Sequence, residues 1–236
     1  MTFRPYPGLT AACALLFAIL CGLGAWQLER LQWKLALIAQ VGAHMAAAPV
    51  TLDRITAMPG DEAQYRKVTL QGRFDHAHEA YVFTTDAGAP VYHVLTPLRT
   101  DGGKVLMVDR GEVPKEKLDP ATRAAGNAAG ETRVTGVWRA PDAPGAFTPP
   151  PDLAHRIWYA RDVTGMAHAD GVILAAPVVI EADAAPNPGG WPRGGQTVVS
   201  FRNAHLSYAV TWFGLALGLL GIWLAYHISK GRIAFK

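Results

Sequence analysis

The chain has little of what builds the commonest reactive centres. Cysteine occurs twice, at Cys13 and Cys21, both inside one apolar run near the start. Residues 29–205 hold none, which excludes a disulfide there and a copper-delivering thiol pair of the Cys-x-x-x-Cys kind. Also missing are a Gly-x-Ser-x-Gly elbow, a phosphate-cradling Gly-rich loop ahead of a helix, and a His-Glu-x-x-His pair. No enzyme class is indicated. Charge of one sign is scarce too, with a formal net of only +3. The excess sits in the tails: Arg4 at one end and Lys230, Arg232 and Lys236 at the other. Removing those four leaves 18 basic and 19 acidic residues, all in 29–228, a net of −1. Such a balance does not describe a nucleic-acid binder, whose cations cluster on the folded part.

Charge is absent altogether from Pro5 to Leu28, and Leu9–Leu28 is an apolar run of 20 residues. At about 1.5 Å per helical residue it covers the roughly 30 Å hydrocarbon core of a bilayer. Leu206–Ile228 is a second run, of 23 residues. Tyr6 and Trp26 on the first, and Tyr208, Trp212, Trp223 and Tyr226 on the second, stand near the interfaces that amphipathic rings favour. A cleaved signal peptide is the competing reading of the first run. Against it, Leu28, Leu31, Leu35 and Ile38 continue the helical spacing, so the helix is expected to leave the membrane as one piece. Basic short tails stay on the cytoplasmic side. The expectation is therefore a cytoplasmic tail and first span over 1–28, an extracytoplasmic domain over 29–205, a second span over 206–228, and a basic cytoplasmic tail over 229–236. That places the protein in a bacterial inner membrane with a periplasmic domain, or in a mitochondrial inner membrane. Tails of about eight residues are too short for a receptor's output module, and neither span carries the mid-bilayer acid or base of a channel.

The intervening domain reads as β-rich. Val68, Leu70, Gly72 and Phe74 alternate with polar residues, the pattern of a half-buried strand. Further strands are predicted at 80–85, 91–99, 104–110, 132–139, 156–160, 177–182 and 196–202, separated by Gly and Pro clusters. Short strands at this spacing predict an antiparallel sheet closing on itself, barrel-like or sandwich-like. Helix is minor: Asp162 is placed to cap one running to Ala169, and 115–125 is a second candidate. Gly214, Gly218 and Gly221 are spaced for close packing of the second span against another helix.

Of the eight histidines, His76 and His78 invite a metal reading, but two imidazoles without a third ligand are better read as a polar turn. His205 and His227 bracket the second span, about 33 Å apart, too far to share a small ligand. His205 stands at the outer interface with Tyr208 and Trp212 one and two turns on, near its face. An axial nitrogen beside a flat apolar wall is what a haem requires; a satisfied interfacial imidazole is the plainer reading. Arg30 and Lys34, spaced i,i+4 on the first helix, repel each other unless an anion joins them. Lipid phosphate and haem propionate both qualify.

The segment Gly24-Ala25-Trp26-Gln27-Leu28-Glu29-Arg30-Leu31-Gln32-Trp33-Lys34 resembles the opening motif of the surfeit-locus family of cytochrome c oxidase assembly factors. So does Gly194-Gly195-Gln196-Thr197 leading into Arg202-Asn203-Ala204-His205-Leu206-Ser207-Tyr208-Ala209-Val210-Thr211-Trp212-Phe213-Gly214-Leu215-Ala216. Between them Tyr65–Phe74, Thr96-Pro97-Leu98, Gly136-Val137-Trp138-Arg139 and Phe147 through Trp158-Tyr159-Ala160-Arg161-Asp162 follow the family in order. The resemblance implies a non-enzymatic assembly factor for haem-copper oxidases. It would bind haem a and aid its delivery into subunit I, with oxidase subunit I, haem A synthase and membrane lipids as partners. The alternative is a haem-free scaffold for a subunit I intermediate. Carried over, the family's candidate iron ligand is His205, with Tyr208 and Trp212 as walls and Arg30 or Lys34 near the propionates. One departure is Asp109-Arg110-Gly111-Glu112-Val113-Pro114, where the family usually has Asn-Arg-Gly-Trp-(Val/Ile)-Pro. If that loop meets a partner, the partner surface here is more acidic.

Overall fold

The computed structural model describes residues 2–127, 129–197, 201 and 203–234. In chain order, β1 (Thr2–Phe3) leads into the long helix α1 (Pro7–Ala46), followed by β2 (Val50–Thr51) and two short helices, α2 (Leu52–Thr56) and α3 (Gly60–Ala63). The strands β3 (Lys67–Phe74), β4 (Ala80–Asp86), β5 (Ala89–Thr100), β6 (Val105–Pro114) and β7 (Glu131–Arg139) come next. Then follow β8 (Ile157–Trp158), α4 (Val163–Ala169), β9 (Val179–Ala182), α5 (His205–Ser229) and β10 (Ile233–Ala234). These elements form two compact units, 1–40 with 200–236 and 41–199.

In the first unit, α1 and α5 are both long and apolar enough to cross a membrane. α1 runs unbroken for 40 residues, as the continued Leu/Ile spacing predicts. Its Leu20, Gly24 and Gln27 form a buried stripe at spacings of four and three. On α5 the buried positions along the span are Ala209 and Ala216. A Cβ at Gly24 would stand 2.7 Å from the Phe213 ring, so glycine there lets the ring approach the helix backbone. Gly214, Gly218 and Gly221 make no such close contact within this chain: each faces open space. They lie on the face of α5 opposite the Ala209–Ala216 stripe, which already serves the contact. At the other end, β1 pairs antiparallel with β10. His227, fully buried, donates from Nδ1 to the Trp223 carbonyl (2.8 Å) and accepts the Tyr6 N–H at Nε2 (3.1 Å). The imidazole that sequence alone treats as unremarkable thus fastens the chain's first residues to its last helix.

The second unit is a closed, barrel-like sheet. Pairings run β3–β7–β9–β6–β5, and β5 returns to β3. Closure occurs at Gly72, which stands opposite Thr132 of β7 and Thr100 of β5. A Cβ there would lie 2.2 Å from the Arg99 carbonyl oxygen, so any side chain would force the ring open. β4 and β8 extend the sheet beyond β5. Along β6, Leu106 and Val108 enter one core cluster and Met107 another. The strand is therefore buried on both faces, and its sequence loses the alternation that β3 keeps.

Three local expectations change. β9 joins β6 in parallel rather than antiparallel, because the long connection carrying α4 returns it to the same end of the sheet. The strand predicted at 156–160 shrinks to Ile157–Trp158, after Arg156 at φ +57°. The 115–125 helix is two 3₁₀ turns, Lys115–Lys117 and Pro120–Gly126, since Pro120 lacks the N–H a continuous helix needs. Asp162 caps α4 as predicted, its carboxylate accepting the Gly165 N–H at 2.9 Å. Of the strand predicted at 196–202, residues 198–200 and 202 lie outside the described set, and Gln196, Thr197 and Phe201 are not in a strand.

Candidate functional site

His205 is the first residue of α5, and its backbone N–H points to the Asn203 carboxamide oxygen at 3.4 Å. Its ring meets α1. Nδ1 lies 2.8 Å from Oε1 of Gln27, and Gln27 is only 9% exposed. Nε2 has no hydrogen-bond partner among the described residues. Gln27 is one turn from Gly24 on the same stripe, and the close contact of Phe213 with Gly24 brings the helices near enough for the bond. A buried amide needs a partner, and in this interface that partner is the imidazole.

The other predicted site residues surround this pair unevenly. Arg30 is exposed and lies over the Trp33 ring, 4.5 Å from guanidinium carbon to centroid. Lys34 is half-buried with its ammonium 4.8 Å from the Phe201 ring centroid. Neither forms an ion pair among the described residues, so both cations rest on aromatic faces with their charge unneutralised. Tyr208 is 55% exposed and Trp212 half-buried. Neither ring stacks on the imidazole among the described residues. They form the outer flank of α5 rather than a closed pocket.

Chemically, an imidazole with one nitrogen held and the other open is a metal ligand in waiting. Two cations on α1 without an ion pair among the described residues supply an attraction for anions. The residues therefore fit an iron porphyrin: a nitrogen for the metal, flat apolar rings for the macrocycle and cations for its carboxylates.

Four of the remaining histidines have local partners. His44 bonds the Gln64 carbonyl (2.9 Å), His78 the Asp75 carboxylate (2.7 Å) and His155 the Asp152 carboxylate (2.7 Å). His76 and His78 lie in a 3₁₀ turn between β3 and β4, the polar turn expected, and His76 bonds Glu79 (3.1 Å). Among the described residues no three His, Cys, Asp or Glu side chains converge on a metal position.

Two charged networks in the β-domain, the first of them buried, escape sequence reading. Glu79, 2% exposed, bridges Arg110 (3.0 Å) and Arg123 (2.7 Å). Arg110 also bonds Asn127 (2.9 Å) and the Gly126 carbonyl. Burial pushes the Glu79 carboxyl up, but hydrogen bonds from His76 and Arg123 and the charges of both arginines outweigh it and bring it to about 2. The second network lines a cavity of about 510 Å³, where Arg161 pairs with Asp142 (2.7 Å) and with Glu181. His93, at its edge, bonds Asp109 at 2.8 Å. Burial alone would lower the His93 pKa; the bond to Asp109 and its charge raise it above the ordinary value instead. Asp109 is 3% exposed, and its other oxygen accepts the Gly111 N–H. The carboxylate of Asp109 therefore adds nothing to a partner surface; its charge is answered inside the domain by His93.

Comparison with known proteins completes the picture. The model of the SURF1 family matches residues 14–217. "Surfeit locus protein 1" of Takifugu rubripes is 34% identical over 229 residues, 90% of this chain and 94% of its own. The proteins of the same name from Gallus gallus (37% over 225 residues) and Homo sapiens (36% over 222) cover 88% and 86% of this chain and 72% of their own lengths. Both the match to residues 14–217 and the identity over nine-tenths of the chain show that this two-span β-barrel protein belongs to the SURF1 family.

Proposed function

We propose that this protein is an assembly factor for cytochrome oxidase, holding haem a by His205 and aiding its delivery into oxidase subunit I. Family membership supports the assembly role. The observation that carries the haem reading is the His205 ring, with Nδ1 engaged by Gln27 and Nε2 without a partner among the described residues, where Arg30 and Lys34 likewise form no ion pair. Haem, when bound, supplies an iron that accepts one axial nitrogen and two carboxylates that need cations. The protein's own residues do the rest. His205 offers Nε2, Tyr208 and Trp212 present apolar rings, and Arg30 and Lys34 attract the propionates. With His205 as the one residue offered to the metal and exposed residues flanking it, a bound haem would be free to leave, which a carrier needs. No covalent step is assigned, so the protein acts as a chaperone rather than an enzyme.

In this reading α1 and α5 span an inner membrane, with both basic tails cytoplasmic and the β-domain on the opposite side. Oxidase subunit I and haem A synthase are the partners, and lipid headgroups share the cations. The test is spectroscopic. The protein is co-expressed with a haem A pathway, purified, and its reduced-minus-oxidised spectrum recorded for wild type and His205→Ala. Wild type is expected to carry haem and the variant to lose the signal. If wild type carries none, or the alanine variant keeps the same spectrum, the ligand reading fails and the protein is a haem-free scaffold for subunit I.

A further inference from the structure

We propose that Gln27 is a positioning residue that holds His205 in the Nδ1–H tautomer and so keeps Nε2 unprotonated and open. The geometry is direct. With Oε1 of Gln27 turned toward the ring at 2.8 Å, Nδ1 of His205 is the donor, because a carboxamide oxygen only accepts. A neutral imidazole carries one proton, so fixing it on Nδ1 leaves the lone pair of Nε2 available. Free histidine favours the opposite tautomer, with the proton on Nε2 and no lone pair there to bind a metal. The protein must therefore supply a force that reverses the preference, and Gln27 is placed to do so. Its burial at 9% exposure matters. Water would otherwise compete for both groups, and a buried amide oxygen left without its donor is unfavourable.

The same bond fixes orientation. Gln27 sits between Gly24, against which Phe213 packs, and Lys34, which rests on Phe201, along one side of α1. Rotation of the imidazole about its Cβ–Cγ bond would break the hydrogen bond, so Nε2 keeps one direction. Metal-bound histidines commonly have such a partner on the second nitrogen, and its loss weakens metal binding. The functional sense of the inference rests on the haem reading above, but the tautomer is a property of the ligand-free protein and is measurable without haem.

The experiment uses full-length protein in lipid nanodiscs, labelled with ¹⁵N-histidine, with the His205 signals identified by their loss in His205→Ala. At a pH where the ring is neutral, wild type is expected to show a protonated Nδ1 and a bare Nε2. Gln27→Leu is expected to move the proton to Nε2. Gln27→Glu, which keeps an acceptor at the same reach, is expected to restore Nδ1–H and controls for a folding defect in the leucine variant. Wild-type His205 protonated on Nε2, or a tautomer unmoved by Gln27→Leu, overturns the proposal. The same proteins are then titrated with protohaem. The leucine variant is expected to bind about 10–100-fold more weakly than wild type. The glutamate variant is expected to bind with a more negative midpoint potential, since a carboxylate makes the imidazole a stronger donor. Equal affinity and potential in all three overturn the positioning role while leaving His205 as ligand. If no protein binds haem but the tautomer follows residue 27, Gln27 control of His205 stands and the haem reading falls.

Discussion

At the scale of single residues, the informative groups are polar side chains that burial has forced into partnership. His93 and Asp109 form such a pair, with Asp109 almost wholly buried. The His93 pKa lies above its ordinary value of 6.5. A raised folded-state value means that the pair stabilises fully below pH 6.5 and loses that contribution as pH rises through the raised pKa. Wild type is therefore expected to lose stability on the alkaline side of pH 6.5. Asp109→Asn, which keeps an acceptor for the Gly111 N–H, is expected to flatten that slope. Chemical denaturation followed by tryptophan fluorescence at closely spaced pH values measures both; an unchanged slope in the variant would assign it to another group. His205 was readable from sequence as an interfacial histidine at the start of a span. Gln27 was not, although it is the one amide in the Leu9–Leu28 run, because its role depends on which face of α1 meets α5.

At the scale of elements, the two spans and the unbroken first helix follow from apolar length and a sustained 3.6-residue period, which chain-local physics determines. What the period leaves open is the choice of contact face. Both Gly24 and the Gly214, Gly218, Gly221 series have the right size for a helix interface, and only Gly24 is used within the chain. Gly24→Leu is expected to collide with the Phe213 ring, push α5 away from α1 and break the Gln27–His205 bond. An overpacked site of this kind costs about 1–3 kcal/mol. By contrast, Gly218→Leu meets open space and is expected to leave the pairing intact. Paired cysteines at positions 20 and 216, each buried on its own helix, in a background lacking Cys13 and Cys21, would report the contact through oxidative cross-linking. Loss of cross-linking in the Gly218 variant as well as in the Gly24 variant would show that a different face makes the contact.

For the whole molecule, the question is what makes the β-domain a cooperative unit, given that its strands are short and Gly and Pro interrupt them. Gly72 closes the ring, and that could not be read from the sequence, where it only keeps the alternation of β3. The Glu79 network ties the start of β4, the middle of β6 and the 120–126 turn, segments 31 and 44 residues apart, through a single carboxylate. Glu79→Gln leaves two guanidiniums, 3% and 1% exposed, without their shared counter-charge. Removing one partner from a buried ion pair costs about 3–5 kcal/mol. The pKa of Glu79 falls from 4.5 to about 2 on folding, so its contribution is present above pH 4.5 and is lost as the pH drops toward about 2. Acid should therefore strike the β-domain first. The spans α1 and α5 hold their backbone hydrogen bonds inside the bilayer and have no such carboxylate. In nanodiscs, acidification of the wild-type protein is expected to abolish the fluorescence of the folded β-domain, where Trp138 and Trp158 are buried, while helical circular dichroism persists. Glu79→Gln is expected to start less stable at neutral pH and to lose less between pH 4.5 and 2. One concerted loss of both signals would mean that the two units unfold together and that the carboxylate does not control a transition of the β-domain alone.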